Sequence, residues 1–424
     1  MKAIISSSKI GGSIEAPSSK SYSHRAVILA TLANGQSTIN NYLNCQDTDR
    51  TLNACRKLGS IIERRDGILK IKGVNGFRDK TPNDHFSEIY AGNSGTTVRL
   101  ITAVAALCPG EVEINGDERM QKRPMSELFR VLRDQGVDLK DSNGFVPVIV
   151  KGGKLKGGRI RVSANLSSQF ISSLLIVLPY AQNASEVIIK DFSSKPYIDM
   201  TIQLMKIFGF SVQQNNNIYY VPMGGYENST YKVEGDVTSS SYLFAAAAVT
   251  NSEIDVYGID PHTKQGDIYF LKILKDLGCR MKNISDGISL SAKITRGINI
   301  DMGNYPDIVP SLAIVAATVR DETNIRNIGS LRYKESDRIE SIKLELTKMG
   351  VKVESTNDSL SIYGGPLHGS EIDTHNDHRI AMSMAVAALV AEGKTIINNA
   401  EVVSKSYPNF WKDFKKIGAK VELV

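Results

Sequence analysis

Four cationic residues lie where the start of a helix disfavours positive charge. Lys20 and Arg25 flank the start of the apolar segment SYSHRAVILATLA, Arg99 lies in SGTTVRLITAVAAL, and Arg379 lies in DHRIAMSMAVAAL. A cation in the first turn opposes the helix dipole and costs stability. The same position binds anions well, because backbone N–H groups and the dipole attract negative charge. The pattern therefore predicts binding sites for anionic ligands at these helix starts.

Other apolar segments also begin with polar residues, for which helix capping is the competing explanation. Ser, Asp and Asn are common N-cap residues without any further function. We prefer that explanation for serines 239–241, whereas capping does not account for the cations. Three further charged segments are GDERMQKRP, RYKESDRIES and SKSYPNF, and each could instead be a solvated loop or an ion-paired helix face.

These segments belong to a unit that occurs six times in the chain. Each copy has an apolar helix, a short alternating strand, an amphipathic helix that ends at a glycine, and a further strand. Several copies add a hairpin strand. The six glycines are Gly59, Gly136, Gly209, Gly278, Gly350 and Gly418. Units of about 70 residues bury little core alone. The repeat predicts two lobes of three copies each, with a hinge near 233–236.

Composition excludes several classes of protein. The chain has 424 residues, 42% hydrophobic, with a net charge of +6. No apolar run is long enough to span a membrane, and the first residues lack the apolar core of a signal peptide, so we expect a cytoplasmic protein. The four cysteines form no CxxC pair and the six histidines form no HExxH motif, so we expect no metal.

The charged segments together resemble the signature blocks of the 5-enolpyruvylshikimate-3-phosphate synthase family. APSSKSYSHRA, AGNSGTTVRL, GDERMQKRP, SSQFISSLL, RYKESDRI, NDHRIAM and KSYPNF follow the family order over essentially the whole chain. The resemblance implies an inside-out α/β barrel of two domains, each with three βαβαββ copies. The domains would be 19–234, and 1–18 with 235–424, with hinge crossings near 18–20 and 233–236. It also implies enolpyruvyl transfer from phosphoenolpyruvate to the 5-hydroxyl of shikimate 3-phosphate, by a monomer without cofactors.

The resemblance implies a site residue by residue. Shikimate 3-phosphate would be bound by Lys20, Ser21, Arg25, Ser167, Ser168, Gln169, Ser194, Asp307, Ser330 and Lys334. Phosphoenolpyruvate would be bound by Lys20, Asn93, Gly95, Arg123, Gln169, Arg338, Arg379 and Lys405. We expect Asp307 to take the proton of the hydroxyl and Glu335 to transfer the proton at C3, with Lys20 also taking part in proton transfer. How these roles divide among the three residues stays open.

Three positions depart from the family pattern. His24 replaces an asparagine, Leu100 a proline, and Ser330 an asparagine that holds the substrate phosphate in the family.

Two rival functions are considered beside the one that the resemblance implies. One rival is enolpyruvyl transfer to UDP-N-acetylglucosamine, which uses a reactive cysteine that GDERMQKRP lacks. The other is a non-catalytic polyanion-binding protein. Nucleic-acid surfaces interleave aromatic residues with cations, and these segments hold few, so we expect neither nucleic acid nor membrane as a partner.

Overall fold

The computed structural model describes residues 1–65, 67–78, 86–153, 155–191 and 194–424. Two compact units divide the chain. The continuous unit is Lys20–Val233, and the split unit is Met1–Ser19 with Glu234–Val424. Each unit has its own hydrophobic core. The assignment of 19–234, and of 1–18 with 235–424, as the two domains stays a prediction. Among the described residues, no helix combines the length and apolar character needed to cross a membrane.

Six apolar helices form the centres of the cores, which confirms their prediction from sequence. In α7 every residue except Thr238 is buried, because an element apolar on nearly every face is stable only when surrounded. The six helices are α1 (Lys20–Leu32), α3 (Gly95–Ala105), α5 (Gln169–Val177), α7 (Val237–Thr250), α9 (Val309–Ala317) and α11 (His378–Ala388).

Six amphipathic helices alternate with them along the chain. They are α2 (Gln46–Lys57), α4 (Ser126–Asp134), α6 (Pro196–Ile207), α8 (Tyr269–Asp276), α10 (Arg338–Lys348) and α12 (Phe410–Lys416). Each is followed two residues later by one of the six predicted glycines, and all six glycines have positive φ. Only glycine adopts this left-handed conformation without steric cost. The predicted helix ends are therefore confirmed.

In the part of the chain that the structure describes, six four-stranded sheets share one topology. The first two strands of each sheet pair in parallel, and the other pairs are antiparallel. The continuous unit has three of these sheets. The first has the strand order β14 (Thr230–Lys232), β3 (Gln36–Asn40), β5 (Ile68–Lys72) and β4 (Ile61–Arg65). The second has the order β6 (Phe86–Tyr90), β7 (Gly110–Asn115), β9 (Phe145–Gly152) and β8 (Asp138–Ser142), and the third has the order β10 (Gly158–Val162), β11 (Ser185–Ile189), β13 (Ile218–Val221) and β12 (Gln213–Asn215).

The split unit repeats this order, and its N-terminal strands explain why residues 1–19 belong to it. β1 pairs with both β23 and β24, and β2 pairs with β15. Its sheets are β2 (Ser13–Glu15), β15 (Glu253–Tyr257), β17 (Gly287–Ser291) and β16 (Arg280–Ile284); β18 (Asn299–Asp301), β19 (Glu322–Arg326), β21 (Leu360–Tyr363) and β20 (Lys352–Ser355); and β22 (Glu371–Ile372), β23 (Lys394–Ile397), β1 (Ala3–Ser6) and β24 (Lys420–Leu423). The βαβαββ repeat is confirmed.

The positive φ of the helix-end glycines generates the first prediction. Gly350→Ala should lower the free energy of unfolding by about 1–2 kcal/mol, because φ is +91° there and a Cβ is disfavoured. Gly365→Ala is the matched control, since Gly365 has no positive φ and its Cβ would meet nothing within 4 Å. Denaturant unfolding measures both variants. Equal stability of the two variants would contradict the proposed role of the glycine.

Candidate functional site

Arg25 of the continuous unit is a buried cation surrounded by neutral groups. Its side chain enters the core one turn into α1, and the residue is 1% exposed. The guanidinium donates to Thr201 Oγ1 at 2.7 Å, Ser21 O at 3.0 Å, Tyr197 O at 3.3 Å and Ser172 Oγ at 3.5 Å. Burial lowers the pKa of Arg25 to about 10, so the group stays charged at neutral pH. Among the described residues, no carboxylate contacts it.

The starts of α5 and α6 meet at this cation. Ser172 lies one turn after Ser168, whose carbonyl accepts its N–H. Tyr197 follows Ser194, which has φ of +57° in the turn before α6. A buried charge is costly unless an opposite charge compensates it. An anion bound at the starts of α1, α5 and α6 would supply that charge.

Lys20 and Asp47 form an ion pair in the same unit. Lys20 Nζ lies 2.9 Å from Asp47 Oδ2, and both side chains are largely buried. Asp47 is in the first turn of α2, where a carboxylate suits the helix dipole. Asp47 has no sequence signal of a site residue, because an acidic residue at a helix start is already explained by that effect.

The starts of α3 and α5 are joined by side-chain hydrogen bonds. Gln169 accepts from Arg99 Nη1 at 2.8 Å and donates to Thr96 Oγ1 at 2.9 Å. Arg123 donates to the backbone and side-chain oxygens of Asn93 at 3.4 and 3.3 Å. The structure thus brings Asn93, Arg123 and Gln169 to neighbouring helix starts, together with Arg99, which the predicted site omitted.

Gly95 begins α3 directly beside the Arg123 guanidinium. A Cβ on Gly95 would lie 2.6 Å from Arg123 Nη2. The family resemblance implies that Gly95 binds phosphoenolpyruvate. In the structure, the missing side chain of Gly95 lets the Arg123 guanidinium approach the backbone. A side chain at position 95 would therefore displace a predicted ligand-binding cation.

Asp307 is the centre of the charged cluster in the split unit. Its Oδ1 lies 3.2 Å from both Lys334 Nζ and Arg338 Nη1, and its Oδ2 lies 3.3 Å from Arg379 Nη2. Burial alone would raise the pKa of Asp307, but the charges of Arg379, Lys334 and Arg338 outweigh burial and hold that pKa well below its usual range. The carboxylate is therefore charged in the ligand-free protein.

Arg338 joins this carboxylate to two further carboxylates, those of Asp377 and Glu335. It is 1% exposed, and it donates to Asp377 Oδ2 at 2.8 Å and to Glu335 Oε2 at 2.7 Å. Lys405 Nζ lies 3.9 Å from Glu335 Oε1. The structure therefore brings Asp307, Lys334, Glu335, Arg338, Arg379 and Lys405 into one cluster.

Asp377 and Asp267 were not among the predicted site residues of the split unit. Asp377 caps α11 through a 2.9 Å bond from the Arg379 N–H and also binds Arg338, so its capping role concealed a second one. Asp267 is buried and accepts from Thr238 Oγ1. Burial, with the neighbouring charge of Asp307, raises the pKa of Asp267 to about 7. Nothing local in the sequence distinguishes it from a loop aspartate.

The three departures from the family pattern occupy different environments. His24 is buried and its Nδ1 lies 2.7 Å from Thr51 Oγ1; burial lowers the pKa of His24 to about 3, so the ring is neutral. Leu100 is buried in α3. Ser330 is half-buried in the 3-10 turn Gly329–Tyr333, just before Lys334.

Six copies of one α/β unit, with cations at the starts of buried helices, define a repeat α/β protein of the kind that binds anions. The model of the family described as EPSP synthase (3-phosphoshikimate 1-carboxyvinyltransferase) matches residues 4–414. The chain is 41% identical to a 3-phosphoshikimate 1-carboxyvinyltransferase from Methanocella arvoryzae and 39% identical to one from Methanococcoides burtonii. The alignments cover 100% of this chain and 100% and 99% of those proteins.

A solved structure of EPSP synthase from Acinetobacter baumannii is also similar, with 28% identity, full coverage of both chains and a TM-score of 0.82. This chain belongs to the EPSP synthase family.

The contrast between Arg25 and Arg338 generates the second prediction. Arg338→Met should lower the free energy of unfolding by about 3–5 kcal/mol, because it leaves buried carboxylates without their cation. Arg25→Met should cost far less, because it removes a buried charge whose contacts are neutral. Thermal unfolding without ligand compares the two variants. A loss for Arg25→Met as large as that for Arg338→Met would contradict the assignment of Arg25 to an anion.

Proposed function

We propose that this protein transfers the 1-carboxyvinyl group of phosphoenolpyruvate to the 5-hydroxyl of shikimate 3-phosphate, releasing phosphate, as a transferase of the shikimate pathway to aromatic amino acids. Family membership supports the reaction. One observation supports the acceptor most directly: the buried Arg25 has only neutral contacts among the described residues. A substrate phosphate is the kind of anion that this cation requires.

We assign the residues that bind shikimate 3-phosphate from the family resemblance and from these contacts. The phosphate lies at Arg25, with hydroxyl donors from the starts of α5 and α6. Asp307 and Lys334 contact the ring hydroxyls. The full set is Lys20, Ser21, Arg25, Ser167, Ser168, Gln169, Ser194, Asp307, Ser330 and Lys334. Of these, Ser330 has the least support, because its side chain is shorter than that of the family asparagine.

We assign phosphoenolpyruvate to the remaining cations. Its carboxylate and phosphate carry several negative charges, and Arg and Lys side chains provide the strong charge-assisted bonds that such groups need. The set is Lys20, Asn93, Gly95, Arg123, Gln169, Arg338, Arg379 and Lys405. Gly95 acts here by leaving space for the Arg123 guanidinium.

The reaction requires two proton movements. The 5-hydroxyl oxygen adds to C2 of phosphoenolpyruvate while C3 gains a proton; the tetrahedral adduct then loses phosphate from C2 and the proton from C3. We assign the hydroxyl proton to Asp307 and the C3 proton to Glu335, with Lys20 sharing proton transfer. A carboxylate held by three cations is a weak base. Substrate anions that bind those cations would weaken their hold and raise the pKa of Asp307 toward that of a useful base.

The two rival functions have less support. Enolpyruvyl transfer to UDP-N-acetylglucosamine is disfavoured for two reasons. The segment GDERMQKRP has no cysteine, and the similar relatives are named 3-phosphoshikimate 1-carboxyvinyltransferase. A non-catalytic polyanion-binding role does not account for carboxylates placed among the cations. A monomeric state, implied by the family resemblance, and a cytoplasmic location, expected from the composition of the sequence, are further proposals.

The acceptor assignment predicts a strong preference for the phosphorylated substrate. With phosphoenolpyruvate as donor, kcat/KM should be about a hundredfold or more higher with shikimate 3-phosphate than with shikimate, the size expected for the loss of contacts to a charged group. Phosphate release measures turnover. UDP-N-acetylglucosamine serves as the rival acceptor, and turnover with it alone would refute the proposed function. Equal rates with shikimate would refute the phosphate assignment.

The proton-transfer assignment predicts a loss of kcat in Asp307→Asn. Turnover should fall by roughly a hundredfold or more, as for a lost general base, while the fold is retained because the amide has the same shape. Asp358→Asn is the control, since Asp358 is an exposed carboxylate of the same unit. Steady-state rates at saturating substrates measure the effect. Turnover of Asp307→Asn close to that of the control would remove Asp307 from the mechanism.

A further inference from the structure

One face of α10 contacts residues 373–377 at two points. Near the helix start, Arg338 donates to Asp377 Oδ2 at 2.8 Å. Seven residues later, Glu345 accepts from the Asp373 N–H at 3.2 Å and lies 2.7 Å from His375 Nε2. Residues seven apart lie on the same face of a helix, about 10.5 Å apart along its axis. The helix therefore holds both ends of this short segment.

The segment between the two contacts has a disfavoured backbone. His375 and Asn376 have φ of +48° and +55°, a left-handed conformation that costs energy in residues with a side chain. The next residue, Asp377, caps α11 and accepts the Arg379 N–H. The shape of the turn 373–376 therefore decides where the side chains of Asp377 and Arg379 lie.

Glu345 supplies the contact that compensates this turn. Its side chain is 0% exposed, and a buried carboxylate must be hydrogen-bonded. Lys348 also contacts it, at 2.8 Å, but Lys348 is on the same helix and its side chain is 45% exposed. Among the described residues, the Lys348 ammonium pairs with this carboxylate, and no hydrogen bond or ion pair joins it to the turn 373–376. The ring of His375 and the Asp373 N–H make the contacts that join the turn to the helix.

We propose that Glu345 and His375 are a pair of positioning residues for the phosphoenolpyruvate cations. By holding the turn 373–376, the pair positions Asp377, which accepts the Arg379 N–H and binds Arg338. Neither residue is among those assigned to a substrate. The identity of the ligand rests on the proposed function, whereas the pair itself rests on the contacts within the split unit.

The charges around His375 give the pair a direction of pH dependence. Glu345 and Lys348 face it from α10, and Asp373 faces it from its own segment. The hydrogen bond with Glu345 raises the pKa of His375, Asp373 adds to this effect, and burial and Lys348 oppose it. The stabilisation is complete below the ordinary histidine pKa of about 6.5 and is lost as pH rises through the higher folded value.

The test compares His375→Gln with Lys348→Gln in the full chain. Glutamine keeps a hydrogen-bond donor at position 375 but carries no charge. The ratio of variant to parent KM for phosphoenolpyruvate, taken at each pH, cancels the ionisation of the substrate. For His375→Gln we expect this ratio to be about tenfold near pH 6, as for a weakened contact to a charged group, and to fall toward one above the folded pKa. The KM for shikimate 3-phosphate should change little, and Lys348→Gln should match the parent.

Three results would overturn the proposal: a ratio no larger than that of Lys348→Gln, a ratio independent of pH, or an equal rise in both KM values. His375→Lys keeps a charge toward Glu345 at all these pH values, so its KM for phosphoenolpyruvate should match that of the parent near pH 6 and lie below that of the parent above the folded pKa of His375. If His375→Gln fails to fold, folding of His375→Lys would support the proposed pair. Failure of His375→Lys to fold as well would refute the pair.

A second measurement needs no turnover. The gap in thermal midpoint between the parent and His375→Gln should narrow as pH rises, because the charge that distinguishes them is lost. A constant gap would refute the pair. A parent that shows no turnover would refute the proposed function and leave this measurement to decide the pair.

Discussion

The compensation of buried positive charge is the constraint on which both clusters depend. Arg338 and Arg25 are equally buried, yet Arg338 contacts the carboxylates of Asp307, Glu335 and Asp377, whereas the contacts of Arg25 are neutral. A cation that the protein neutralises contributes to stability, because removing it strands its partners. A cation that the protein leaves uncompensated favours an anionic ligand instead. The two arginines therefore have different roles despite their similar burial.

The same balance sets the acid–base character of the split unit. Asp307 and Asp267 are neighbouring carboxylates whose surroundings move their pKa values in opposite directions: three cations lower that of Asp307, and burial raises that of Asp267 to about 7. Such separation of two nearby pKa values is common where protons are transferred. A ligand that neutralises Arg338 and Arg379 acts on both carboxylates at once. In the proposed function, this arrangement would link substrate binding to proton transfer electrostatically.

The repeated α/β unit provides the helix starts at which these charged residues lie. Some of the carboxylates there cap a helix and also contact residues of the charged cluster. Asp236, Asp337 and Asp377 each accept an N–H of the helix that follows, so capping is real at these positions. At Asp377 the same carboxylate also binds Arg338, and the left-handed turn before it is held by Glu345. A cap satisfies backbone groups within one turn. The second oxygen of the capping carboxylate can accept a hydrogen bond from a different helix. A capping residue can in this way also position a residue of the charged cluster.

The sequence alone determined the repeat, the alternation of buried and amphipathic helices, the glycine that ends each amphipathic helix, and the cations at helix starts. These features depend on interactions within a few residues, or on a hydrophobic period, so they can be read along the chain. Only the tertiary structure decided which cations are compensated. Arg25 meets Thr201 from 176 residues away, Lys20 meets Asp47, and Arg123 fills the space beside Gly95. Charge compensation and pKa depend on burial and on contacts between distant segments, and neither has a local signal.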